Sequence, residues 1–226
     1  MNLLLLGRGK TGSLIAEVAR ERKHPIQMLC AADNPQGAAL TDMRLNEVDL
    51  VIDFTVPGAV LTNIEACIRA GKNMVVGTTG WYGDLAKVRQ MVEHYRTGFL
   101  YGANFSVGIN LFFEIVRAAA PALQHQYLGQ IFERHHARKK DAPSGTALTL
   151  QKMIREASGT DLEIISFREG DVVGMHEVVL DSPNDTIYLC HDSKSRRSFA
   201  EGAVRAAEWL LGKKGFYEFK DVWREL

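Results

Sequence analysis

Along the first hundred residues, short unbroken apolar runs alternate with segments whose apolar residues recur every three or four places. These are the periods of buried strand and amphipathic helix. Asn2–Leu6 is the first run, cut off at Gly7, and Ser13–Arg20 has helical spacing. Ile26–Ala32, ending at Asp33, is the second run and Val48–Phe54 the third. Thr55-Val56-Pro57-Gly58 turns that strand into a helix over Ala59–Ala70, which Gly71 stops. Asn73–Val76 and Gly98–Tyr101 complete five strands, with a helix over Leu85–Tyr95 between them. The alternation predicts an α/β fold, a Rossmann-like doubly wound parallel sheet with right-handed crossovers. Ligands of such sheets gather at the carboxyl ends of the strands. Here those ends are Gly7, Asp33, Phe54-Thr55, Gly77-Thr78-Thr79 and Ala103-Asn104-Phe105.

Near residue 104 the pattern changes. A helix is expected over Ser106–Ala120, a strand over Gln124–Glu133 and a helix over Ser144–Ala157. Three β-like runs follow, Leu162–Phe167, Val172–Leu180 and Thr186–His191. Strands now follow strands, which predicts a smaller α+β domain with an open mixed sheet. Arg197–Leu211 is a last helix stopped by Gly212, and the tail Gly215–Leu226 is short and mixed. The expected domains are residues 1–104 and 105–194.

Two stretches carry chemistry. Gly7-Arg8-Gly9-Lys10-Thr11-Gly12 joins the first strand to the first helix, and Asp33 stands 21 positions after Gly12. That is the context in which GxGxxG marks a dinucleotide site: glycines for a tight turn, close approach to pyrophosphate and helix packing, and an acid for the ribose hydroxyls. The second stretch, Glu133 to Thr146, sets His135 and His136 side by side, Lys139 four places after the first, and a turn into a helix. Pro143 disfavours helix at Ala142, and Ser144 is a good N-cap. The N–H groups of Gly145 and Thr146 then lack partners within the helix and form a seat for an anion. Titratable cations beside such a seat point to an acidic small molecule, against the alternative of a solvated basic loop.

Composition narrows the field. The 226 residues carry 27 basic and 27 acidic side chains, so neither nucleic acid nor an anionic membrane is an expected partner. Cys30, Cys67 and Cys190 are far apart and odd in number, the pattern of reduced core thiols. No metal ligands are expected, because no His, Cys, Asp or Glu groups have ligand spacing. Met1–Leu6 is too short an apolar run for a signal peptide, and no run reaches transmembrane length, so a cytoplasmic protein is expected.

The long stretch Glu133-Arg134-His135-His136-x-x-Lys139-x-Asp141-Ala142-Pro143-Ser144-Gly145-Thr146-Ala147 resembles the signature of the 4-hydroxy-tetrahydrodipicolinate reductase (dihydrodipicolinate reductase) family. The similarity extends through Asp53-Phe54-Thr55, Gly77-Thr78-Thr79-Gly80, Ala103–Gly108, Arg168–His176 and Phe199–Leu210. It implies NAD(P)H-dependent reduction of a cyclic imine dicarboxylate with loss of water. By this resemblance His135 and Lys139 are the acid–base pair, and His136, Ser144, Gly145 and Thr146 hold the small dicarboxylate. Gly7, Arg8, Gly9, Lys10, Thr11, Gly12, Asp33, Phe54, Gly77, Thr78, Thr79, Gly102, Ala103, Asn104 and Phe105 are the implied cofactor contacts. The resemblance also implies a homotetramer built through the sheets of the second domains, a C-terminal segment, residues 195–226, that returns to the first domain, and a cleft that closes on ligand.

The chain departs from the family pattern in its nucleotide loop, where Arg8 and Lys10-Thr11 stand in place of a glycine-arginine-methionine run, and in Asn34, where members that accept NADPH tend to place arginine. A carboxylate at Asp33 with no adjacent guanidinium repels a 2′-phosphate, so NADH is the expected preference, with NADPH open to rescue by Arg8 or Lys10. The loop Asn34–Glu47 is shorter than in longer members. His24, His94 and His125 are expected at the surface, and His176 and His191 as ordinary sheet histidines. Two rivals are another two-domain dehydrogenase of amino-acid-like substrates, and a non-catalytic NAD(H)-binding redox sensor.

Overall fold

Four consecutive leucines, Leu3–Leu6, form the strand β1, and none is more than 1% exposed. A strand buried on both faces needs cover on both. The computed structural model describes residues 1–226 and shows how it is provided. In chain order the elements are α1 (Lys10–Glu21), β2 (Ile26–Leu29), α2 (Asp42–Asn46), β3 (Leu50–Asp53), α3 (Pro57–Arg69), β4 (Asn73–Val76), α4 (Leu85–Tyr95), β5 (Gly98–Tyr101), α5 (Val107–Ala119) and β6 (Leu128–His135). There follow α6 (Gly145–Ser158), β7 (Ile164–Arg168), β8 (Met175–Asp181), β9 (Thr186–Asp192), α7 (Arg197–Leu210), β10 (Gly215–Glu218) and α8 (Phe219–Val222). They make two units, Met1–Val107 with Arg196–Leu226, and Gly108–Ser195. No helix is long and apolar enough to cross a membrane.

The first unit is a six-stranded parallel sheet in the order β10-β5-β4-β3-β1-β2. Alternate side chains leave opposite faces of a strand. Leu3, Leu5, Leu50, Ile52, Val75 and Leu100 therefore pack under α1 and α7, while Leu4, Leu6, Val51, Met74, Val76 and Phe99 pack under α3 and α4. Ion pairs tie α7 to the α1 side: Arg197 meets Glu17 and Glu21, and Arg22 and His24 meet Glu208. His24 is thus half-buried and partnered rather than a plain surface residue. The strand order reverses at β1, with β2 on one side and β3 on the other, which is where doubly wound sheets open a ligand crevice.

Three local expectations need correction. The second strand stops at Leu29, not Ala32, because Asp33 Oδ2 accepts the Cys30 N–H (2.9 Å) and draws the backbone into a turn. Residues 35–46 are not a plain loop: a 3₁₀ turn, Pro35–Gly37, precedes α2, whose N-cap Thr41 accepts from Arg44 N–H. The mixed tail holds a sixth strand, β10, paired in parallel with β5.

The second unit is a four-stranded sheet in the order β7-β6-β8-β9, with β6 and β7 parallel and the other pairs antiparallel. One face carries Ile131, Val178 and Leu180 against Ile109, Phe112 and Val116 of α5 and Leu150, Met153 and Ile154 of α6. Two strands begin later than their apolar runs. A 3₁₀ turn over Ala120–Gln124 delays β6 to Leu128, and β8 starts at Met175, after the Gly174 carbonyl accepts Ser193 N–H.

Candidate active site

The covered face of the second sheet changes character along its length. Register places Ile131 beside Ile164 and Val178, then Glu133 beside Ser166 and His176, then His135 beside Arg168. An apolar layer thus gives way to two polar layers at the end of β6. Just above them α6 begins, capped by Ser144, whose Oγ accepts from Ala147 N–H at 3.2 Å.

Glu133 is wholly buried, and three donors converge on its Oε1: Ser144 N–H (3.0 Å), Ser166 Oγ (2.7 Å) and Arg168 Nη2 (2.7 Å). Burial alone would raise this carboxyl, but those donors outweigh it and hold Glu133 at about 2. Its other oxygen, Oε2, lies 3.2 Å from His135 Nδ1 and 3.9 Å from His176 Nε2. Burial lowers His135 from its ordinary value, Glu133 opposes the drop, and Lys139 and Arg168 reinforce it. His176 sits 3.1 Å from Ser144 Oγ, and burial followed by the charge of His135 holds it at about 4. Glu133, His135 and His176 offer donor atoms within 4.8 Å of one another. Arg168 already sits on the carboxylate, so the cluster is charge-compensated without an ion.

Of the residues the sequence singled out here, His135 and Ser144 enter the cluster. His136 follows the strand end, Gly145 is exposed and Thr146 half-buried at the start of α6. Lys139 Nζ donates to both oxygens of Asp141 at 2.8 Å, so its ammonium is held by a neighbour of its own loop. Arg138 pairs with Asp171 at the surface. Sequence reasoning missed Glu133, Ser166, Arg168 and His176 as members of the cluster. The alternation along β6 already sets Glu133 on the face of His135, whereas the other three arrive through strand pairing.

In the first unit a cavity of about 220 Å³ is lined by Gly9, Lys10, Thr11, Gly12, Phe54, Thr55, Gly77 and Thr78. It lies at the carboxyl ends of β1, β3 and β4. Gly7 has φ +107°, and a Cβ there would stand 2.2 Å from the Phe54 carbonyl oxygen; at Gly12 it would stand 2.2 Å from the Gly7 oxygen. Gly9, with nothing within 4 Å of such an atom, is the open member of the three. It is also the N-cap of α1 and offers no side chain, so the first N–H groups of α1 stay available to a phosphate. The walls are set from beneath by Asp53, wholly buried, which accepts from the Thr55 amide and hydroxyl, the Thr78 hydroxyl and Asn63 Nδ2. Burial raises its carboxyl against those four bonds.

Gly7, Arg8, Asp33, Thr79, Gly102, Ala103, Asn104 and Phe105 lie outside this lining. Phe105 is 2% exposed and packs between Phe54 (5.6 Å) and Phe219 (4.7 Å), and Asn104 Oδ1 accepts Ser106 N–H before α5. Asp33 is exposed, its carboxyl lowered by the bond from Cys30 and then by Arg8 and Arg44. Thr55, which the sequence offers only as a strand end, belongs to the lining.

Known proteins match most of this chain. The family described as "Dihydrodipicolinate reductase, N-terminus" matches residues 1–105, and "Dihydrodipicolinate reductase, C-terminus" matches residues 108–223. A protein of Christiangramia forsetii named 4-hydroxy-tetrahydrodipicolinate reductase is 39% identical over 240 aligned residues, covering 100% of this chain and 99% of the relative. One of Neisseria meningitidis with the same name is 37% identical over 201, covering 80% of this chain and 74% of the relative. Among solved structures, a dipicolinate-bound dihydrodipicolinate reductase from Paenisporosarcina sp. TG-14 superposes with a TM-score of 0.79 at 21% identity, over 98% of this chain and 99% of that one. At that identity the likeness establishes the fold.

Proposed function

The chain belongs to the dihydrodipicolinate reductase family, and from that premise we propose that it is a cytoplasmic enzyme reducing 4-hydroxy-tetrahydrodipicolinate to tetrahydrodipicolinate. The reaction consumes NAD(P)H and a proton and releases NAD(P)⁺ and water, in the diaminopimelate route to lysine. The observation that carries this reading is the cluster at the end of β6: a buried imidazole backed by an ionised carboxylate, beside the start of α6.

When bound, the nicotinamide supplies the hydride. The pyrophosphate suits the cradle of Gly7, Gly9 and Gly12 at the start of α1, where side chains at Gly7 and Gly12 would collide with backbone and Gly9 leaves the approach to the first N–H groups open. His135 gives up a proton as negative charge builds on the ring, a contribution of about 10²–10⁴-fold for a placed general acid. The N–H groups of Gly145 and Thr146, with Ser144 and His136, seat a substrate carboxylate. Lys139 exchanges Asp141 for a substrate carboxylate, bringing a cation and a second exchangeable proton to the reacting ring.

Asp33, exposed and held ionised by the bond from Cys30 and in part by Arg8 and Arg44, accepts ribose hydroxyls and repels a 2′-phosphate, so NADH is the preferred donor. Those two guanidiniums are the groups through which NADPH would be admitted. The second sheet's uncovered face, with Phe132, Ile165, Phe167 and Tyr188, is the surface through which the chain forms a homotetramer.

The test is a coupled assay in which the preceding synthase makes substrate from pyruvate and aspartate semialdehyde while NADH loss is followed. We expect turnover, with kcat/KM favouring NADH. No turnover overturns the reading, and a ratio favouring NADPH overturns the cofactor preference alone.

A further inference from the structure

We propose that Glu133 is the positioning residue for proton transfer: its carboxylate engages the Nδ1 edge of His135, so that Nε2 is the atom that carries the proton to substrate. The inference deepens the reading of His135 as proton donor and rests on it.

The two oxygens of Glu133 are used differently. Oε1 is saturated by Ser144, Ser166 and Arg168, which lock the carboxylate in the middle of the sheet. Oε2 has no hydrogen-bond partner, and neither has the buried His135 Nδ1 that faces it at 3.2 Å. Each is the other's nearest remedy, since a buried donor or acceptor left unsatisfied is destabilising. A small turn of the ring brings the N–H onto the oxygen. The backbone of His135 is itself fixed, because its carbonyl accepts Glu169 N–H at 2.9 Å and β6 runs in register with β7.

The opposite edge of the ring faces a glycine. A Cβ at Gly174 would stand 3.0 Å from His135 Nε2 and 3.2 Å from Cδ2. Gly174 therefore leaves the room that a side chain would take from the proton-bearing atom. One neighbour holds the ring and the other keeps its working edge clear.

The charge balance gives the arrangement a chemical purpose. The ring of His135 is surrounded by Glu133 on its own strand, Lys139 and Asp141 on the following loop, Arg168 on β7, and the His176 ring of β8 at 5.1 Å. Burial, Lys139 and Arg168 all disfavour an imidazolium, and the nearest group that favours it is Glu133. When the proton leaves, the Nε2–H bond breaks and a bond to the substrate ring forms. The imidazole is left neutral with its remaining proton on Nδ1, against the carboxylate. Three donors keep Glu133 ionised, so it steers the proton without taking it.

The test is a ¹⁵N NMR titration of the His135 ring in the full chain, wild type and Glu133→Gln, paired with pH profiles of kcat. His135→Gln assigns the resonances and reports the donor role independently. We expect the neutral wild-type ring to carry its proton on Nδ1. In Glu133→Gln the His135 pKa should fall by about 1–3 units, the range for loss of a close opposite charge. The descending limb of kcat should move down with it, while substrate KM changes little. An Nε2–H tautomer in the wild type overturns the proposal, as does a His135 titration that Glu133→Gln leaves in place. If Glu133→Gln fails to fold, the wild-type tautomer alone decides. Full activity in His135→Gln would instead sink the donor role, whatever Glu133 does to the ring.

Discussion

At neutral pH the His176 ring is uncharged, because burial and then His135 hold it at about 4. An unfolded histidine titrates near 6.5, so between those values the unfolded chain binds the proton that the folded one refuses. Stability is therefore full above about 6.5 and falls as pH drops toward 4, by at most about 3 kcal/mol for a shift of this size. His135 and His191, also lowered, act in the same direction. Glu133 extends the loss, since its contribution is present above the usual carboxylate range and disappears toward its value of about 2. Urea midpoints should decline through this window, and His176→Asn should flatten the upper part. A wild-type midpoint that does not move between pH 6.5 and 4 would contradict this balance. In the sequence His176 reads as an ordinary sheet histidine at the end of a motif the family shares, with no partner in view. Its partners Glu133 and Ser144 lie 43 and 32 positions away and meet it only through β6–β8 register and the cap of α6. Residue spacing along one strand cannot reveal such pairings, although it does place Glu133 and His135 on one face.

Among the elements, the C-terminal segment depends on one side chain. Asn73, at the start of β4, donates to the carbonyls of Leu210 (2.9 Å) and Lys213 (3.0 Å) and accepts Gly98 N–H (2.7 Å). It closes the end of α7 and fixes the entry to β10 against β5. Asn73→Ala leaves buried backbone groups without partners, at a cost of about 2–4 kcal/mol. The melting temperature should fall accordingly, and an unchanged value would show that water replaces these bonds at no cost. The five earlier strands are legible in the sequence because a short apolar run set between two helices has little choice but to be a buried strand. β10 is not, because Gly215-Phe216-Tyr217-Glu218 is short, half-buried and polar at its end. An edge strand with one neighbour does not need the unbroken apolar run that marks β1 or β3. β2 looks longer in the sequence than it is, because Ala31 and Ala32 continue an apolar run whose backbone Asp33 turns aside.

Across the molecule, the second sheet has one face under α5 and α6 and one without cover from its own unit. On the uncovered face Leu128, Phe167 and Tyr188 are 78%, 41% and 68% exposed, an unusual apolar content for a solvated sheet. Light scattering on the full chain should give a mass of four 25.2 kDa chains, and Tyr188→Lys should shift it toward smaller species. A single-chain mass for the wild type would refute assembly through this face.

The proposed chemistry turns on His135, held by Glu133, supplying the proton of the reduction. That role is probed head-on by the kcat of His135→Gln against wild type in the coupled assay, with folding checked by circular dichroism. We expect a loss of at least about 10²-fold with substrate KM little changed. A folded variant that turns over at the wild-type rate would contradict it.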